Sequence, residues 1–166
     1  MYERKTAHID DDFVVFLIGM NVNRWREVRS WRPVMQAMPR MVVELRRNPD
    51  LGLLKAYTGW MFGGPASIQY WRSYDALLAY SRNSESEHLP AWRSFNRAAR
   101  STDAVGIWHE TYRVTAGQWE AIYGGTRDVG LLGAVGGRPL DDRSTSSTRI
   151  GDRPSDTAPV EPPHPR

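Results

Sequence analysis

Residues 106–114, "GIWHETYRV", bring an imidazole, a carboxylate and two large aromatic rings within nine positions. As a strand this stretch alternates, so Ile107, His109 and Thr111 share one face while Trp108, Glu110 and Tyr112 share the other. His109 suits a general base or proton relay, because an imidazole titrates near about pH 6.5 and its surroundings tune that value. The structural alternative is a strand histidine that donates to a backbone carbonyl or lies in a dimer contact. Glu110 points away from His109, so the two form no dyad within one protomer, and a catalytic Glu110 would act on the opposite side of the sheet. His88, which opens "HLPAW", is a further candidate base or an axial ligand to haem, with a capping or surface role as its alternative. His8 and His164 lie in polar terminal segments and are read as inert.

Residues suited to holding an apolar substrate are Trp108, Trp60, Trp71, Met38 and Tyr112. Met35, Met38 and Met41 recur at helical spacing. They form either a pliant wall, since thioethers adapt to irregular shapes, or an ordinary core stripe. Arg40 and Arg24 could grip a carboxylate or enolate with two parallel hydrogen bonds. Gly19 and Gly106 mark a bulge, a close backbone approach or simple tight packing.

Several chemistries are excluded. The chain has no cysteine, so disulfides, thiolate catalysis and zinc-thiolate sites are absent. There is no P-loop, no GxGxxG after a strand, no HExxH and no nucleophile elbow. With four histidines, two of them terminal, no metal centre is expected. The net charge of +3 comes from interspersed acids and bases rather than a basic stripe, which argues against nucleic acid as a partner. No apolar run reaches membrane-span length and the opening "MYERKTAHIDDD" is polar, so no membrane partner and a cytoplasmic location are expected.

The elements that must position these residues follow from periodicity. "DFVVFLIGMNV" (12–22) is a β-branched strand, and residues 30–49 carry apolar side chains three and four apart. They predict a helix capped by Ser30, bent at Pro39 and stopped by Asn48-Pro49. Two apolar runs joined at Gly63-Gly64-Pro65 predict a hairpin. Ser73 caps the helix that follows, a short helix is expected over 88–100, and 106–114 is the last main strand. The order β-α-β-β-α-β defines the α+β class with a ferredoxin-like split βαβ protomer. Two helices cover one sheet face, and aromatic and Met residues on both alternating sets call for burial of the second face in a homodimer. The domain is expected over 10–135, between a flexible 1–9 segment and a disordered, Pro/Ser/Asp/Arg-rich tail over 136–166.

Taken together, "VVFLIGMNVNRW", "WRPVMQAMPRMVVEL", "YWRSYDALLAY", "HLPAW" and "GIWHETYRV…EAIYGG" resemble the small monooxygenase-like family related to the fungal fumagillin-pathway oxygenase. The resemblance spans about residues 10–135. It implies a dimeric α/β barrel, akin to the antibiotic-biosynthesis monooxygenases, that oxidises an apolar small molecule without metal or flavin. Where that family commonly has Asn-Met-Pro after the position of Tyr123, this chain reads "GGTRD". Cofactor-free oxygenation needs a substrate that forms a stabilised carbanion, a base, a donor for the developing anion and a dry pocket. A haem-dependent dehydratase, with His88 or His109 on iron, and a non-catalytic protein binding a hydrophobic metabolite are the alternative readings.

Overall fold

A computed structural model describes residues 3–83 and 103–140, together with 145, 146 and 150. His88, His164 and the helix expected over 88–100 lie outside the described residues. β2 (Phe13–Val22) follows a short strand β1 (Arg4–Ala7), and α1 runs from Val28 to Arg47. α1 begins two residues before the expected cap: Glu27 precedes it without a side-chain cap, and Ser30 sits in the first turn with its amide on the Glu27 carbonyl. Pro33 and Pro39 both lie inside α1, each removing one donor. The helix stops at Asn48, and a 3-10 turn over Pro49–Leu51 ends on Gly52, whose φ of 95° is left-handed.

β3 (Leu53–Met61) and β4 (Gly64–Trp71) form the expected hairpin, but its turn is one residue earlier than read. Phe62 (φ 52°) and Gly63 (φ 84°) occupy its centre. Two consecutive positive φ values make the tight turn whose twist matches antiparallel strands. Gly64 is instead the first residue of β4, pressed so closely on β2 that a Cβ would lie 1.8 Å from the Met20 carbonyl oxygen. α2 (Tyr74–Arg82) is capped as expected, Ser73 Oγ accepting from the Ala76 amide at 3.1 Å. β5 (Val105–Val114) completes the main sheet.

All pairings in this sheet are antiparallel, and the spatial order is β3-β4-β2-β5. The first strands of the two βαβ units, β2 and β4, therefore lie side by side in the centre of a ferredoxin-like α+β sheet, with β3 and β5 at its edges. A second, small sheet was not anticipated. β1 pairs with β6 (Tyr123–Gly124) and with β7 (Gly137–Pro139), and α3 (Gly130–Val135) lies between those two. Residues 4–7, read as flexible, are thus a strand, and ordered structure passes the boundary set at 135. Ala7 packs with Phe13 and Leu131 in a buried cluster. Four residues that include Arg4 and Lys5 contain no apolar run to announce a strand. Among the described residues, no helix is long and apolar enough to cross a membrane.

Candidate functional site

Even-numbered β2 residues face the helices, and the contacts there are concentrated at the two ends of the strand. At one end Val14 joins Leu45, Trp71, Leu77 and Tyr80 in a buried cluster. At the other, Met20 and Val22 pack with Val34, Ala104 and Val105. Phe16 and Ile18, between these anchors, line a cavity of about 630 Å³. That volume suits an organic molecule of several rings. Its sheet side also carries Ile107, His109 and Thr111 of β5 and Thr58 of β3. Registry explains the grouping: His109 lies opposite Ile18, and Thr111 opposite Phe16.

The helices supply the facing wall. Met35, Met38, Met41 and Val42 line it from α1, and Tyr74, Leu77, Leu78 and Ser81 from α2. Tyr80 donates to Glu44 Oε2 at 2.7 Å, which ties α2 to α1. At the β5 side the Arg113 guanidinium lies 5.6 Å from the Tyr74 ring centroid. Of the methionine stripe, Met41 is buried and Met35 and Met38 are half-buried, and all three border the cavity.

On the same sheet face, just outside the cavity lining, runs a polar row that sequence reasoning missed. Gln69 is 4% exposed and Ser67 fully buried. They share the helix-side face of β4, Gln69 opposite Phe16 and Ser67 between Ile18 and Thr58. Trp71 Nε1 donates to Gln69 Oε1 at 3.0 Å, and Gln69 Nε2 faces Met38 Sδ at 3.8 Å. The alternation Ser67, Gln69, Trp71 in "ASIQYW" was the available signal, because two polar residues occupy the face that must meet the helices.

The expected site residues divide sharply. His109 and Met38 line the cavity. His109 is exposed on edge strand β5, its ring centroid 5.7 Å from that of Phe16. Glu110, Trp108 and Tyr112 occupy the opposite face of β5 and do not line the cavity, as the strand's strict alternation requires. Trp71, 1% exposed, is core rather than lining. Trp60 is exposed and stacks on Trp25 at 6.4 Å, outside the lining. Arg40 is exposed, its Nε donating to the Gln36 carbonyl one turn back. Arg24 binds Asp103 and Glu27, joining the loop after β2 to the start of β5. Arg46 lines the cavity where Arg40 was expected to act.

On the other sheet face, Trp108 lies over Gly19, where a Cβ would come within 2.4 Å of the indole, and meets Phe62 edge-on at 5.1 Å. The close-approach reading holds for Gly19; Gly106 has only ordinary contacts. Tyr57, Tyr70 and Tyr123 gather beside α3, Tyr57 donating to the Gly130 carbonyl at 3.3 Å. Burial pushes the Tyr57 and Tyr70 hydroxyls above their ordinary range, with Tyr123 adding to both. Among the described residues, no group of three or more His, Asp or Glu side chains could hold a metal ion.

These features define an α+β protein of ferredoxin-like topology with an apolar cavity between its helices and sheet. Residues 13–131 match the family described as Monooxygenase af470-like, and the chain belongs to it. That is the family its sequence resembles. Among solved structures it is similar to a dimeric ferredoxin-like protein from Bacteroides fragilis, at 13% identity over 61% of this chain and 95% of that one, with a TM-score of 0.44. It is likewise similar to SnoaB, a cofactor-independent oxygenase from Streptomyces nogalater, at 14% identity, 61% and 91% coverage and a TM-score of 0.44. A dimeric ferredoxin-like protein from Jannaschia gives 18% identity, 59% and 97% coverage and a TM-score of 0.43. Comparison with curated proteins finds no significant match.

Proposed function

We propose that the protein is a monooxygenase that oxidises an apolar organic molecule in this cavity without a tightly bound cofactor, with His109 as the base. The observation that carries the reading is the presence of His109 in a cavity lined mainly by Met, Leu, Val, Ile, Ala, Pro and Phe side chains, with Thr58, Thr111, Ser81, Tyr74 and Arg46 as its other polar members. An imidazole there can take a proton from an acidic C–H of the substrate, while the apolar side chains farther in hold the rest of the molecule. The carbanion passes one electron to dioxygen, the two radicals combine and a proton returns to give a hydroperoxide. Loss of water then turns a CH2 group into a carbonyl, so that one O2 yields one ketone oxygen and one water.

A homodimer formed through the opposite sheet face completes the proposal. Leu17 and Ile68 are only half-buried there, and Tyr112 and Phe62 are exposed. Oxygen uptake with a panel of C–H-acidic aromatic ketones and phenols tests the activity. His109→Ala is expected to lower turnover by roughly 10²- to 10⁴-fold with ligand affinity retained. Ligand binding without oxygen uptake in the unaltered protein would replace the enzyme with a binding protein. A haem absorption band that His109→Ala abolishes would replace cofactor-free oxidation with iron chemistry.

A further inference from the structure

The geometry points to the Gln69 carboxamide as the group that recognises a carbonyl, phenolic or enolate oxygen of the ligand, with Met38 as its removable cover. This rests on reading the cavity as a substrate site. The orientation of Gln69 follows from its neighbour. An indole N–H can only donate, so the Gln69 oxygen must face Trp71 Nε1, and the two amide N–H groups must point the other way. There Nε2 meets Met38 Sδ at 3.8 Å, a thioether and hence a weak acceptor. A carboxamide 4% exposed thus presents strong donors to a poor partner, in an environment where an unmade hydrogen bond is costly.

Met38 belongs to the cavity wall, and its unbranched side chain changes rotamer easily. When it swings aside, the Gln69 donors meet whatever oxygen the ligand brings. Trp71, nearly fully buried, holds the amide in register and prevents the flip that would offer the carbonyl instead. The anchor lies two strands from His109: Thr111, Phe16 and Gln69 form one row across the sheet, and His109, Ile18 and Ser67 the next. Two strand spacings and the two-residue step between rows put the two backbones about 12 Å apart, and both side chains reach inward, so a fused-ring molecule can place its oxygen at Gln69 and its acidic C–H at His109.

The test uses 9-fluorenone and fluorene, which share a tricyclic skeleton and differ chiefly by one carbonyl oxygen, with binding read from quenching of tryptophan fluorescence. The unaltered protein is expected to bind the ketone about 3- to 10-fold more tightly, the range of one neutral hydrogen bond. Gln69→Met, which conserves volume and removes the donors, is expected to abolish that preference while keeping fluorene affinity. Met38→Leu, which removes only the sulfur, is expected to keep or widen it and carries the test if Gln69→Met does not fold. Equal affinities in the unaltered protein, a preference that survives Gln69→Met, or one lost in Met38→Leu would each overturn the proposal. Binding of neither probe would overturn the pocket reading and the proposal with it.

Discussion

Tyr112 donates its hydroxyl to Glu110 Oε2 at 2.5 Å, on the face of β5 turned away from the cavity. The bond and the carboxylate charge hold the Tyr112 hydroxyl above its ordinary range. Glu110→Gln removes the charge, so Tyr112 ionisation, followed by absorbance at 295 nm, is expected to move down toward about 10. Oxygen uptake is expected to be unchanged. A large loss of turnover would bring Glu110 back as a catalytic group.

Gly64 and Gly59 lie on the two strands of one hairpin, Gly64 opposite Met61 and Gly59 opposite Ala66, and have opposite tolerances. A Cβ at Gly64 would lie 1.8 Å from the Met20 carbonyl oxygen, whereas one at Gly59 meets nothing within 4 Å. Gly64→Ala must force β4 from β2 and is expected to cost more than about 4 kcal/mol. Gly59→Ala is expected to stabilise by about 0.5–1 kcal/mol, because it restricts the unfolded chain without a clash. Urea unfolding of both variants checks the contrast.

Alkaline pH should weaken the fold through Tyr57 and Tyr70. Burial raises both hydroxyls above the ordinary value of 10.0. The folded state therefore keeps protons that the unfolded state has already released, and stability falls as pH rises past that value. Below it, the contribution is fully present. Tyr70→Phe is expected to flatten the decline in melting temperature between pH 10 and 11.5; an equally steep decline would place its origin elsewhere.

Much of the fold was legible because β2, β5 and the hairpin strands announce themselves by β-branched and aromatic alternation, and Ser73 by its cap. The start of α1 was not, since no side chain caps it. β1 was invisible because two of its four residues are charged and its partners lie more than a hundred residues away. Within the site, alternation alone separated His109 from Glu110, but it could not say which set faced the helices. Trp71 and Trp60 were misplaced for a related reason. A tryptophan reads the same in sequence whether it is core, as Trp71 is, or stacked on the surface, as Trp60 is. Gln69 was missed because a polar residue in an apolar strand becomes informative only once the face it occupies is known.

α1 rests on β2 as a span rests on two piers, one around Val14 and Leu45, the other around Met20 and Val34. Stability resides in the piers, whereas Ile18 and Met38 face the open space of the span and carry less of that load. Lineages built on this frame can exchange the residues beneath the span and acquire new ligands while the piers preserve the architecture. A change at Leu45 or Val34 has no such latitude, because it alters the support on which every version of the cavity depends.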